Sequence, residues 1–442
     1  MKKTYLSVAA ALVLSTAVRA QCTGRYAADT FTSVTTTTAI PYGANINYVG
    51  SPVTLTLDFY EPAGDVATAR PLIIWAHGGS FIGGTNTDAD VTSLSQHFAK
   101  KGYVCASINY RIGVASFDSI GMIPAVIRSV QDMKAAIRFF YKDAKTGTNA
   151  YKIDTNNIFI GGSSAGSFTA LHTAYLKRTC QITPYISQAN LNALGGLDGY
   201  SGNQCYSQKV KGVIDLCGAL GVYGWLEAGD LPLVSMHGTA DGTVMYSRGQ
   251  VLPPYNIMWA DGSRMIYQQA QAVGVTDNFY TWQNAPHVPY AGTTAAQLAY
   301  MDTTVNFVRD YLLQRMNITC PLAQPVGTHG TPYGVATLYT YANCTPNAPL
   351  GCALAGIKNI SANSLLQEVY PNPSTSDVNV VFANNNDMHF VELTDISGRV
   401  LKSSTTTQAI YTLERSNLNA GVYFLKVSNN QGEASIQKII FY

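Results

Sequence analysis

The chain has 442 residues, 47% hydrophobic and only 12% charged, so it holds enough apolar material for more than one core and must cover its surface largely with neutral polar groups. Lys and Arg number 28 against 26 Asp and Glu, with no basic run, which gives no case for a nucleic-acid partner. Twenty-eight tyrosines and many Thr and Asn fit a protein that works outside the cell.

Lys2 and Lys3, the apolar run Tyr5 to Leu14 and the small-residue site Val18-Arg19-Ala20 read as a signal peptide over residues 1–20. Its apolar run is too short to span a bilayer, and no transmembrane anchor is expected. Its removal leaves 25 basic against 26 acidic residues. From about Phe31 to Pro62 polar and apolar residues alternate, as in antiparallel edge strands. Five apolar runs then follow: 71–76, 104–110, 158–161, 213–216 and 231–236. Helical patterns lie between them over 91–101, 127–141, 167–176 and 263–272, and a last one covers 295–313. Strands alternating with helices predict an α/β class with a mostly parallel sheet, here a catalytic-size domain over 21–320.

Residues 321–366 lose this rhythm to Pro, Gly, Thr and Asn and read as a loop-rich linker. Over 367–442 short alternating strands return, separated by turn signals, and predict a small all-β sandwich. The eight cysteines fit an oxidising compartment. Cys180 with Cys205 and Cys344 with Cys352 are the expected disulfides, and Cys22 with Cys320 is a third candidate pair. Cys105 and Cys217 lie in strand-like runs and are expected to be buried. No C-x-x-C spacing occurs, so no metal is assigned.

Four short stretches carry chemistry. Asn157 to Gly166 is an apolar strand ending in G-x-S-x-G, with a helical run behind it. Such a turn exposes a nucleophile, Ser164, over a helix N-terminus that favours developing negative charge; the bland alternative is a Gly/Ser-rich turn. His77-Gly78-Gly79-Ser80-Phe81 follows the first buried strand. Acyl transfer needs N–H groups aimed at the developing oxyanion, and Gly79, Ser80 and Ala165 are the expected donors, with Gly78 as the substitute. After the last buried strand Asp241 lies in His237-Gly238-Thr239-Ala240-Asp241-Gly242, where a carboxylate can orient an imidazole or simply cap its own turn. His287 follows in Pro286-His287-Val288-Pro289-Tyr290 as the general base. Ser164, Asp241 after 77 residues and His287 after 46 more run in the order nucleophile, acid, histidine. The other histidines carry bland readings: His77 holds its loop, His237 props the acid loop, and His97 and His172 sit on helices.

With these residues in hand, residues 50–315 resemble the carboxylesterase and esterase/lipase branch of the α/β-hydrolase superfamily. The stretch Ser129 to Arg138 through Asp154 resembles the segment that precedes the nucleophile there, which implies structural roles for Asp132 and Arg138. The chain departs from that pattern at Ser80 in the oxyanion loop, at Ser163 beside the nucleophile and at Ala285-Pro286 before the histidine. The tail, with Val369-Tyr370-Pro371-Asn372-Pro373, Leu393 to Gly398, Leu418 to Tyr423 and the final Lys438 to Tyr442, resembles the type A sorting domain of the type IX secretion system of Bacteroidetes. That resemblance implies export across the outer membrane, to the cell surface or medium, by the secretion machinery.

The expectation is a secreted serine esterase that needs no cofactor and acts on a small or polymer-linked ester, with acetyl or feruloyl groups of extracellular polysaccharide favoured by analogy. Trp225 and Tyr246 are expected to contact substrate. A peptidase, a polyester depolymerase and a catalytically silent binding or adhesion protein on the same scaffold are the alternatives.

Overall fold

Continuous aliphatic strands are stable only in a sheet covered on both faces, and the computed structural model of the chain uses them in that way. It describes residues 24–319 apart from 256, and residues 365–442 apart from 384–386, 396–398 and 430–433. The expected signal peptide, nearly all of the expected linker, and the Cys22–Cys320 and Cys344–Cys352 pairs lie outside the described residues. The chain divides into two compact units.

In the first unit, β1 (Val34–Ile46) and β2 (Pro52–Pro62) precede β3 (Arg70–Ala76), α1 (Ala89–Lys100), β4 (Val104–Ile108), α2 (Ser119–Thr146), β5 (Ile153–Ser163) and α3 (Ala165–Tyr175). Short helices α4 (Thr179–Ile182) and α5 (Gln188–Ala193) lead to β6 (Gly212–Leu216) and β7 (Ala219–Leu220). Then come β8 (Leu233–Gly238), β9 (Arg248–Gln250), β10 (Trp259–Gly262), α6 (Ser263–Val273), β11 (Asp277–Trp282) and α7 (Ala295–Arg315). Eight strands form one sheet in the order β1-β2-β4-β3-β5-β6-β8-β11. β2 runs antiparallel to both neighbours, and every pair from β4 to β11 is parallel.

The pleat sorts the core. Leu72, Ile74, Ala76, Ile158, Ile160 and Val213 face one apolar cluster with α2 and α3, while Ile73, Trp75, Phe159, Ile214 and Leu216 face another with α1 and α7. Each such Leu, Ile, Val or Phe side chain contributes roughly 1.5–3 kcal/mol on burial. Helix α2 begins eight residues before the expected Ile127, because the Asp118 carboxylate accepts the Gly121 N–H at 3.0 Å as an N-cap and the helix continues through Pro124.

The insertion after α3 corrects the expected disulfide. Cys180 is disulfide-bonded, but not to Cys205. Polar contacts to α2 and the β4 end pin the segment between them. Gln131 donates to the Leu194 and Gly196 carbonyls, Lys134 pairs with Asp198, and Ser201 donates to Asp132 at 2.5 Å. Cys105 and Cys217 are buried thiols.

The second unit holds β12 (Leu366–Tyr370), β13 (Val378–Phe382), β14 (His389–Thr394), β15 (Val400–Thr406), β16 (Ile410–Leu413), β17 (Gly421–Asn429) and β18 (Ala434–Phe441). They make two antiparallel sheets, β12-β13-β16 and β15-β14-β17-β18, around one core that includes Val380, Leu393, Leu425 and Ile439. Leu365 and Leu366, which the sequence reading leaves in the linker, belong to that core. The strand β15 is absent from the sequence reading because its polar residues carry little apolar alternation.

Candidate active site

Ser164 sits between the end of β5 and the start of α3 with φ +55° and ψ −120°. A non-glycine residue rarely adopts that backbone conformation, and it is held only where the surroundings over-determine it. The flanking glycines are what allow it. A Cβ on Gly162 would meet the Ala76 carbonyl oxygen at 2.4 Å, and one on Gly166 would meet the same atom at 1.9 Å. The turn therefore packs against the C-terminal end of β3 with no room for a methyl group.

Asp241 comes from the loop after β8 and His287 from the loop after β11, adjacent strands of the sheet. The three sequence-predicted residues come together. His287 Nε2 lies 2.8 Å from Ser164 Oγ, and His287 Nδ1 lies 2.6 Å from Asp241 Oδ2. With Asp241 accepting from Nδ1–H, Nε2 is left to accept the Ser164 hydroxyl proton. The other carboxylate oxygen accepts the Thr243 and Val244 N–H groups, each at 2.9 Å. His237, fully buried, adds a contact of 3.2 Å from Nε2 to Oδ2 while its Nδ1 lies 2.7 Å from Ser263 Oγ. Burial alone would raise the Asp241 pKa, but hydrogen bonds from His237 and His287 outweigh it and hold the carboxyl well below the usual range. Asp241 is therefore anionic wherever His287 works as a base.

The loop after β3 lies against Ser164. Gly79, Ser80 and Phe81 take φ of +101°, +54° and +62°. A Cβ on Gly79 would meet the Gly83 carbonyl oxygen at 2.2 Å, so glycine is required there. Among the described residues the N–H groups of Gly79, Ser80 and Ala165 have no hydrogen-bond acceptor, and Ser80 and Ala165 line the cavity at Ser164. His77 holds this loop: its Nδ1 lies 2.7 Å from the Gly78 carbonyl, and its ring stacks on Tyr110 at 4.3 Å. Burial lowers its pKa, so the ring is neutral at pH 7.

The cavity beside Ser164 is apolar, walled by Phe81, Met122, Val126, Phe168, Val251 and Met258 among others. Trp225 lines a neighbouring cavity. Tyr246 lines neither: its hydroxyl bonds Thr281 Oγ1 at 2.7 Å and its ring stacks on Phe279, so it packs behind the acid loop instead of on the cleft.

Three groups at the site escaped the sequence reading in this role. Tyr290 Oη lies 2.6 Å from Ser163 Oγ, both buried, and ties the His287 loop to the Ser164 turn. Cys217, read only as a buried residue, receives the Val288 N–H on its sulfur. Its sulfur, the Asp241 carboxylate and a His287 ring nitrogen lie within 4.8 Å of one another, the one such grouping among the described residues. Asp241 and His287 already share a proton there, which an ion would have to displace. Tyr110 completes the set, donating to the His77 carbonyl at 2.8 Å. Only its place at the end of an apolar run could have flagged it.

Residues 57–228 match the BD-FAE family model, and residues 368–442 match the secretion system C-terminal sorting domain. The chain is similar to the quorum-quenching protein AidA of Acinetobacter baumannii, 29% identical over 130 residues, which are 29% of this chain and 38% of that protein. It is similar also to carboxylesterase 3B of Mus musculus, 34% identical over 118 residues, which are 25% of this chain and 19% of that protein. The chain thus spans well under half the length of these curated relatives. Among solved structures it is similar to esterase 2 of Thermogutta terrifontis, with 20% identity and a TM-score of 0.45 over 63% of this chain and 96% of that one. No helix among the described residues is long and apolar enough to cross a membrane.

Proposed function

We propose that this chain, which joins an α/β-hydrolase unit to a secretion-system sorting domain, is an exported serine hydrolase of carboxylic esters. The observation that carries this reading is the hydrogen-bonded series Ser164–His287–Asp241, with two contacts of 2.8 and 2.6 Å, opening on an apolar cavity. Ser164 Oγ attacks the ester carbonyl carbon while His287 Nε2 takes its proton. The carbonyl oxygen, now anionic, is met by the N–H groups of Ala165 and of Gly79 or Ser80. The intermediate collapses to an acyl-enzyme, and His287 hands the proton to the departing alcohol. A water then repeats the sequence with His287 as base, releasing the carboxylic acid and restoring Ser164. None of these steps calls on a metal or an organic cofactor.

The sorting domain marks the chain for export, with the type IX machinery as the partner that reads it. Export suits an ester too large to enter the cell, so polymer-linked acetyl or feruloyl groups are the substrates this location favours. The test is hydrolysis of p-nitrophenyl acetate and butanoate by the purified protein beside its Ser164→Ala variant. Turnover that falls by roughly 10⁴-fold or more in the variant is the expected result. A Ser164→Ala protein that stays equally active would show that the nucleophile lies elsewhere.

A further inference from the structure

The cavity at Ser164 shares Val126, Phe168 and Met258 with a second, equally apolar cavity. Ile123, Ile127, Leu176, Ile182 and Trp225 line its interior. Tyr185 and Trp259, 47% and 57% exposed, also line it and stand at its mouth. The titratable side chain in its depth, His172, has nothing to offer a ligand. Its Nδ1 lies 2.8 Å from the Phe168 carbonyl, and its Nε2 accepts the Gly221 N–H at 3.2 Å. Those partners place the proton on Nδ1 and occupy both nitrogens. Burial also pushes the His172 pKa down to about 4, so the wall is uncharged at neutral pH.

We propose that the two cavities serve as one acyl site, and that the preferred ester carries an unbranched aliphatic acyl chain longer than butanoyl, running from Ser164 past Phe168 into the second chamber. This rests on the serine-esterase reading above and, in place of the acetyl or feruloyl group that export alone favours, specifies a longer aliphatic acyl group. Three features argue for it. An acetyl group leaves the second chamber unfilled, so the available apolar surface contributes nothing to the transition state. A hydroxylated aromatic acyl group would bring a polar group in among apolar walls and a histidine already satisfied, losing water without replacement. Between the chambers stands Met258, an unbranched, flexible side chain that can turn aside for a narrow chain.

The experiment is a series of p-nitrophenyl acetate, butanoate, hexanoate and octanoate, with methyl ferulate alongside methyl octanoate. Expected is a kcat/KM that rises roughly threefold to fourfold per added methylene, the yield of burying one methylene, and methyl octanoate turned over faster than methyl ferulate. Filling the far chamber by Ile182→Phe or Leu176→Phe should lower the octanoate-to-butanoate ratio of kcat/KM at least tenfold. A ratio within one protein is indifferent to how much of it is folded. A flat or falling series in a protein that hydrolyses the acetate overturns the proposal and leaves the esterase reading standing. So does a ratio unchanged in both variants. If no ester is hydrolysed, the esterase reading fails, and the cavity is judged by titrating the Ser164→Ala protein with methyl octanoate. A saturable change in tryptophan fluorescence, from Trp225 and Trp259 in its wall, supports the chamber, and its absence overturns it.

Discussion

Asp241 does more for His287 than supply a charge. Its Oδ2 fixes the proton on Nδ1, and its Oδ1 is itself fixed by two backbone N–H groups. Asp241→Asn keeps the shape but can present an N–H to Nδ1, which turns the imidazole to the wrong tautomer. We expect kcat for an activated ester to fall roughly 10³–10⁴-fold with KM little changed, read from steady-state kinetics at pH 7. A quieter effect belongs to Tyr290. Val288, beside His287, is β-branched with φ +44°, a strained conformation held between the Cys217 sulfur and the Tyr290–Ser163 hydrogen bond. Tyr290→Phe should lower kcat about tenfold, and the double variant with Ser163→Ala should lower it no further than Ser163→Ala alone, because Ser163→Ala already loses the bond to Tyr290 together with its bond to Asp90. The meeting of Ser164, Asp241 and His287 was legible in the chain because each stands at the end of a recognisable strand in a telling order. Tyr290 and Ser163 were not legible as a pair, since 127 residues separate them and no local pattern links a tyrosine to a serine that far away.

At the scale of elements, one buried ion pair holds the β4 end, helix α2 and the insertion together. Asp132 is fully buried. It accepts from the Arg111 backbone N–H at 2.8 Å and the guanidinium at 2.8–3.0 Å, and from Ser201 at 2.5 Å. Removing one partner of such a pair leaves the other charge buried and unpaired, which costs more than the pair contributes. Asp132→Ala is expected to lower the stability of the first unit by about 3–5 kcal/mol, measured by urea unfolding. The structural role that resemblance implied for Asp132 has this physical content, but its contacts were not readable from the chain. The central strands were readable because their apolar runs admit little else. The start of α2 was hidden behind Gly121 and Pro124, residues that normally end helices, until the Asp118 cap shows how it begins. The Cys180–Cys205 expectation failed because the segment between them is held by Gln131, Lys134 and Asp132, and spacing alone says nothing about which sulfurs meet.

Over the whole molecule, two buried titratable groups pull the pH dependence of stability in opposite directions. Asp277 opens β11 with one oxygen 3.2 Å from Ser235 Oγ and the other without a partner, and burial, helped by the nearby Asp215 carboxylate, raises its pKa well above the ordinary 3.8. The folded state then binds a proton that the unfolded chain releases, so this group's contribution falls as pH rises from about 3.8 towards its raised folded value. For His172 the sign reverses. Its folded pKa of about 4 lies below the ordinary 6.5, so the unfolded chain binds the extra proton and stability is lost as pH falls through that window. Each slope is at most about 1.4 kcal/mol per pH unit, and above pH 4 the two oppose each other wherever their windows overlap. All four tryptophans lie in the first unit, so their fluorescence during urea unfolding follows that unit without contribution from the C-terminal one. Relative to wild type, Asp277→Asn should gain stability progressively as pH rises from 4 to 6.5. His172→Gln should instead lose stability relative to wild type over the same rise, whatever fixed cost its lost hydrogen bonds carry. Two difference curves of the same sign, or two flat ones, would mean that these groups hold ordinary pKa values in the fold and that the unit's acid response is set by other residues.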